Sequence, residues 1–353
     1  MDGVVTTVRI GGHTVGHGYP CFIVAEAGVN HNGDVERAFQ LVEAAKEAGA
    51  DAVKFQMFKA EQLASAAAPK AKYQVRTTGA AESQLAMLRK LELSADAHRA
   101  LMESCAHHSI LFLSSPFDES AADALEALDV AAFKIPSGEL TNLPFLAHVA
   151  AKRRPMIVST GMATLEEVEA GVRTIADAGN DEVILLHCVS NYPTAPGDTN
   201  LRAMATMAAA CHAPVGFSDH TMGLEVALAA VALGAHVIEK HLTLDRSLPG
   251  PDHAASLEPN EFAAMVRGIR VVEAALGHGR KEPAASELDT AAVARKSIVA
   301  VRDLSAGTVL GRGMLTCKRP GTGLAPSRLS SLVGRVLRVD VEADTVLTED
   351  MLR

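Results

Sequence analysis

The chain has 353 residues, 48% hydrophobic and 21% charged, which suits a large soluble α/β domain with an appendage. A formal net charge of −9 without any compensating basic run argues against a nucleic-acid partner, while a few lysines in a cleft still admit anionic small molecules. The scattered cysteines (Cys21, Cys105, Cys188, Cys211 and Cys317) contain no Cys-x-x-Cys pair and read as reduced thiols, not a disulfide framework.

In chain order, Met1 to Gly12 lacks a basic-then-apolar leader profile. Short apolar runs then alternate with segments of helical period, the mark of repeated βα units on a parallel sheet. The predicted strands begin at Cys21 (CFIVAEAG), Asp51 (DAVKFQ), Ile110 (ILFLSS) and Ala131 (AAFKIPSG). They continue at Pro155 (PMIVSTG), Glu182 (EVILLHC), Pro214 (PVGFSD) and His236 (HVIEKH). Such continuous apolar runs fit strands buried on both faces.

Helices are predicted over Asp34–Ala48, with an Asp N-cap and Gly49 at its end, and over Thr164–Ala178, where Thr164 and Glu167 have capping-box spacing. The stretch Phe58–Glu92 reads as an insertion after the second strand, a position that usually lines or covers a barrel's active site. The pattern predicts a (β/α)₈ TIM barrel; an open doubly wound sheet is weakened by the lack of a Gly-x-Gly-x-x-Gly turn after the first strand. The longest uncharged apolar run, Val226 to Ile238, is too short to span a bilayer, so a cytoplasmic protein is expected.

The barrel pattern covers residues 1–276 and closes with a helix over Pro259–Leu276. Residues 277–290 are polar with Gly and Pro and read as a linker; residues 291–353 read as a small β-rich domain. That tail repeats itself weakly. Thr308-Val309-Leu310 followed by Met314-Leu315 recurs as Thr345-Val346-Leu347 followed by Met351-Leu352, each after a small-residue turn at Ala306-Gly307 or Ala343-Asp344.

In a barrel, the C-terminal strand ends converge on one mouth. Here those ends carry Glu26, then Lys54 with Gln56, then Ser115, then Lys134 with Ser137, then Ser159. Ser190 and Tyr192 follow the sixth strand, Ser218 and His220 end the seventh, and His241 ends the eighth. Two lysines among hydroxyls make a cradle for phosphate or carboxylate. His220 and His241 end adjacent strands and could share one ion, leaving positions for water and substrate. Most of the other histidines, such as His107, His108 and His148, read as ordinary surface or core residues, and Cys188 as a buried structural thiol.

These residues sit in motifs that resemble the sialic acid synthases, more broadly the nonulosonate synthases. The motifs are AEAGVNHNGD from Ala25, VKFQ from Val53, SSPFD from Ser114, FKIPSGE from Phe133 and STGM from Ser159. LLHC from Leu185, YPTAP from Tyr192, FSDHT from Phe217, IEKHLTLD from Ile238 and GPDHAASLEP from Gly250 follow. KRPGTG from Lys318 resembles the family's antifreeze-like (SAF) C-terminal domain. The resemblance implies condensation of phosphoenolpyruvate with an N-acylated mannosamine-type aldehyde, releasing phosphate.

It further implies a divalent metal, Mn²⁺ or Mg²⁺, on His220 and His241. Lys54, Lys134, Ser115, Ser137, Ser159 and Ser218 would hold phosphoenolpyruvate. Glu26 would act at the reacting centre, Asp252 near the sugar hydroxyls, and Gln56 and Tyr192 would complete the pocket. Arg319 of the partner subunit would reach the sugar's N-acyl group across a swapped homodimer. Ser190 stands where bacterial sialic acid synthases carry Asn, with Asn191 one residue later, and Ser115 replaces a Thr found in some members. The stretch YQVRTTGAAESQLAMLRKLEL from Tyr73, with the AGVNHNGD and SGELTNLP loops, resembles the legionaminic acid branch, whose acceptor is 2,4-diacetamido-2,4,6-trideoxymannose. N-acetylmannosamine is the alternative acceptor. A metal-dependent barrel hydrolase would need further ligands such as a His-x-His after the first strand, and a non-catalytic carbohydrate binder leaves the lysines and histidines unexplained.

Overall fold

The computed structural model describes residues 7–353; the leader-free reading of Met1 to Gly12 therefore falls partly on residues outside the described ones. The chain separates into two compact units, Met1–Gly277 and His278–Arg353.

The first unit opens with an antiparallel hairpin of β1 (Val8–Ile10) and β2 (His13–Val15), turned at Gly11-Gly12 with Gly11 at φ 57°. Such a left-handed position favours glycine in a two-residue hairpin turn. This hairpin was not anticipated, because two three-residue strands carry too little alternation to register.

Eight parallel strands follow: β3 (Phe22–Gly28), β4 (Ala52–Met57), β5 (Leu111–Pro116), β6 (Phe133–Ile135), β7 (Met156–Ser159), β8 (Val183–Cys188), β9 (Val215–Asp219) and β10 (Val237–His241). Each matches a predicted strand. The ladder runs β5-β4-β3-β10-β9-β8-β7-β6, and β5 and β6 lie side by side to close the barrel.

Alternation along each strand sorts the interior into layers. At the lower end, inward positions are apolar: Phe22 and Val24, Ala52, Leu113, Ile157, Ile184 and Leu186, and Val237, packed with Val8, Ile10 and Val15 of the hairpin. The hairpin thus plugs the barrel floor. Two residues further along the same inward rows stand Glu26, Lys54, Ser115, Ser159, Cys188 and Glu239, all buried. Outward positions such as Ile23, Phe55, Phe112, Val158, Leu185 and Phe217 join the helices in the main core.

Helix termini follow the sequence signals. Helix Val35–Glu47 is capped by the Asp34 carboxylate, which accepts from the Glu36 and Arg37 amides. In helix Leu165–Asp177 the reciprocal box is complete: Thr164 N–H donates to Glu167 at 2.8 Å and Glu167 N–H to the Thr164 hydroxyl at 3.4 Å. The insertion folds as three short helices, Ala60–Leu63, Lys72–Thr78 and Gln84–Arg89, over a small core of Val29, Phe58, Met87 and Leu91.

The second unit holds the antiparallel pair β11 (Ser297–Ala300) and β12 (Leu315–Lys318). The predicted linker is not bare coil: a 3₁₀ turn at Ala285–Glu287 leads into helix Leu288–Ala294. The internal repeat is a structural one. Leu304 and Val341 exchange both backbone hydrogen bonds at 2.9 Å. The Ala306 amide donates to Asp340 at 2.6 Å while the Ala343 amide donates to Asp303 at 2.7 Å. Gly307 and Asp344 occupy matching left-handed turns at φ 85° and 67°, and 3₁₀ turns Arg312–Met314 and Glu349–Met351 precede the buried Leu315 and Leu352. No described helix is long and apolar enough to cross a membrane.

Candidate active site

Above the apolar layers the barrel mouth opens into a cavity of about 440 Å³. Glu26, Lys54, Gln56, Ser115, Lys134, Ser137, Ser159, Ser190, Tyr192, Ser218, His220, His241 and Asp252 all line it. Arg319 belongs to the second unit, where it is exposed and donates from Nε to the Ala294 carbonyl at 3.0 Å.

The centre is a four-member charge cluster. Lys54 Nζ lies 2.8 Å from Glu26 Oε2 and 3.6 Å from Glu239 Oε2, and donates to Ser115 Oγ at 3.2 Å. Lys134 Nζ lies 3.3 Å from Glu239 Oε1, which also accepts from Ser218 Oγ at 3.0 Å. Gln56 donates to the other Glu26 oxygen at 3.0 Å. Burial opposes every one of these charges; pairing wins for Glu239 and Lys54, and burial wins for Glu26 and Lys134. Burial pushes up the carboxyl of Glu239, but Lys134 and Lys54 outweigh it and hold that group at about 2. For Glu26 burial prevails over Lys54, with Glu239 adding repulsion, so its carboxyl sits above the usual range. Burial likewise leaves Lys134 lowered, whereas Glu239 and Glu26 together raise Lys54 despite burial.

Hydroxyls surround the cluster. Ser137 Oγ accepts the Gly161 amide at 3.0 Å and lies 3.2 Å from Cys188 Sγ. A Cβ on Gly161 would come within 2.3 Å of Ser190 Oγ and 2.9 Å of Ser137 Oγ, so only glycine lets this backbone approach the cradle. Ser159 Oγ is buried without a hydrogen-bond partner. Burial raises the Cys188 thiol, as befits an unreactive one.

His220 and His241 adjoin the cluster, with Ser218 Oγ 3.4 Å from His220 Nε2; their ring centroids lie 5.5 Å apart, and Tyr192 packs at a tilt on His220 at 4.2 Å. His220 Nδ1 donates to the Val189 carbonyl at 2.9 Å, which leaves Nε2 unprotonated. Burial lowers His220 to about 4 and holds His241 well below its ordinary value, so both rings are neutral near pH 7. Asp252 is buried beside Glu26, and its carboxyl is pushed up to about 7 by burial and by that neighbour. Among the described residues no group of three or more His, Cys, Asp or Glu is arranged to hold a metal.

Glu239, which with Lys240 and His241 ends the eighth strand in the sequence, lines the cavity because it shares an inward row with His241 two residues on. Individual lining residues of the insertion escaped the sequence reading. Tyr73 stacks on Tyr192 at 4.9 Å from within the insertion, and nothing in the local sequence signals that contact. Conversely, Asp219 and Lys240, which also end strands, turn away from the mouth and pair with each other.

Fold and mouth together define a (β/α)₈ barrel that gathers its lysines, hydroxyls and paired histidines over one cavity. Residues 41–281 match the NeuB family and residues 295–353 the SAF domain. The chain is 48% identical to the N,N'-diacetyllegionaminic acid synthase of Legionella pneumophila over 94% of each chain. It is 45% identical to the synthase of that name from Campylobacter jejuni over 93% of this chain and 98% of that one. Among solved structures it is similar to an N-acetylneuraminic acid synthetase from Leptospira borgpetersenii in complex with citrate, at TM-score 0.72 and 34% identity, covering 81% of this chain and 95% of that one. The chain belongs to the NeuB family.

Proposed function

We propose that the chain is a nonulosonic acid synthase. It condenses phosphoenolpyruvate with an open-chain N-acylated mannosamine-type sugar and releases phosphate, with 2,4-diacetamido-2,4,6-trideoxymannose as acceptor. The observation that carries this reading is that Lys54 and Lys134, a ring of hydroxyls and two neutral histidines line one cavity side by side. The names of the Legionella and Campylobacter relatives support the acceptor, and citrate bound to the Leptospira relative supports a site for multiply charged carboxylates.

The residues present fit a divalent metal. His241 Nδ1 is buried without a partner, and His220 Nε2 keeps its lone pair because Ser218 donates to Glu239 instead. Two nitrogen donors suit Mn²⁺ better than Mg²⁺, which prefers oxygen. When bound, the ion supplies a Lewis acid that polarises the aldehyde oxygen.

Lys54, Lys134 and the hydroxyls of Ser115, Ser137, Ser159 and Ser218 orient phosphoenolpyruvate and stabilise its charge. C3 of phosphoenolpyruvate bonds to the aldehyde carbon, water captures the cation left at C2, and C–O cleavage expels phosphate. Glu26 handles the protons. Its raised carboxyl gives a proton to the aldehyde oxygen as that oxygen gains charge, then takes one from the attacking water. A homodimer in which Arg319 of the partner subunit meets the N-acyl group completes the reading.

A phosphate-release assay with the two candidate sugars side by side tests it. Turnover requires phosphoenolpyruvate, metal and an acylated sugar together; inactivity with both sugars overturns it. His241→Ala abolishes turnover and keeps the wild-type circular dichroism. Undiminished rates in chelated buffer overturn the metal role.

A further inference from the structure

The cavity has two chemically unlike halves. Its inner half is the charge cluster and serine ring. Its outer wall comes from the insertion, where Leu63, Met87, Leu88 and Leu91 meet Val29 and Phe117. The insertion carries cations, yet none of them lines the cavity. Lys70 binds Thr78, Gly79 and Glu82; Lys90 binds Glu82; Arg89 binds Glu61; Lys59 binds Glu92; Lys72 and Arg76 are exposed outside the lining. Among the described residues that line the cavity, the cations are Lys54 and Lys134, both held at the inner end by Glu26 and Glu239.

One polar feature interrupts the apolar wall. Gln84 Nε2 donates to Gln74 Oε1 at 3.4 Å, and that oxygen also accepts the Ala71 amide at 2.9 Å. Gln74 is thereby fixed, and Gln84, half-buried and facing the cavity, keeps its carbonyl for a ligand. Tyr73 packs on Tyr192, which packs on His220, so this wall joins the histidines.

Resting on the synthase reading, we propose that Leu88, Met87 and Gln84 select the acceptor by its far end. They admit an uncharged, deoxygenated terminus with an acylamido group beside it. A methyl group fills apolar space, and an amide N–H pairs with the Gln84 carbonyl. A hydroxymethyl group leaves its hydroxyl without a partner there, which costs about 10- to 100-fold in kcat/KM. A phosphorylated terminus fares worse, because a dianion against this wall meets no cation.

The test is steady-state phosphate release by the wild type, Leu88→Arg and Gln84→Leu. The acceptors are 2,4-diacetamido-2,4,6-trideoxymannose, N-acetylmannosamine and N-acetylmannosamine 6-phosphate. The wild type prefers them in that order. Leu88→Arg shifts the ratio of phosphorylated to deoxy acceptor upward by about tenfold or more. Gln84→Leu lowers the diacetamido acceptor relative to N-acetylmannosamine by about tenfold. Equal losses on all acceptors in both variants overturn this inference and leave the synthase reading standing. A wild type inactive with every acceptor overturns both. Should Leu88→Arg melt early, Leu88→Gln gives the same readout, with a preference shifted toward N-acetylmannosamine.

Discussion

Two buried lysine–carboxylate systems meet at β9 and β10 on opposite faces of the strands. On the outward face, Lys240 lies 2.6 Å from Asp219 and donates to the Thr221 carbonyl at 2.7 Å. The other Asp219 oxygen accepts from the Thr221 amide and hydroxyl, both at 2.8 Å. Both side chains are fully shielded from solvent. On the inward face Lys134 reaches one carboxylate oxygen at 3.3 Å, Lys54 is shared between two carboxylates, and Ser159 has no partner at all. The chemistry is the same on both faces, but the degree of saturation differs. A saturated pair joins strand to strand; an unsaturated one keeps hydrogen-bonding capacity for a ligand.

Replacing one lysine on each face by methionine puts that difference to work. Lys134→Met lowers kcat/KM by about a thousandfold, since a preorganised cation next to developing charge is lost. Its melting transition moves less than that of the outward variant, because Glu239 retains Lys54 and Ser218. Lys240→Met strands Asp219 in the interior and costs about 3–5 kcal/mol in urea unfolding. Its turnover per folded molecule falls less than that of Lys134→Met. If the two variants exchanged these profiles, saturation would not be what separates structure from site.

A smaller effect comes from Asp252, the acid beside the cluster. Its folded-state value of about 7 lies above the usual 3.8, so the native protein binds the proton that the unfolded chain releases. Stability therefore falls as pH rises from about 4 to about 7 and stays lowered above that. Asp252→Asn removes this dependence. The variant gains about 2–4 kcal/mol over wild type at pH 8 and little at pH 4, read from unfolding curves across that range.

Much of this was legible in the residues. Every barrel strand announced itself, since a parallel strand covered on both faces reads as an unbroken apolar run. The mouth was legible too, because strand C-termini converge whatever the helices do. What stayed hidden depended on tertiary facing. Asp219 and Lys240 end strands as Ser218 and His241 do, and only alternation from the barrel floor upward tells which row points inward. The insertion's helices of four to seven residues are too short to show a period, so their apolar wall and Tyr73 surfaced only in three dimensions.

The reciprocal turns of the second unit carry a consequence of their own. Asp340 caps the turn at Ala306 and Asp303 caps the turn at Ala343, so each half supplies what the other lacks. That is the geometry of an isologous dimer, with both copies written into one polypeptide. Separate copies of one gene product must change together, whereas tandem halves are free to drift apart. The halves here keep their paired leucines inside and already differ outside, with Arg312-Gly313 in one turn where Glu349-Asp350 stands in the other. Within one chain, a symmetric contact of this kind is a scaffold on which one half can carry a different outer face while the other preserves the fold.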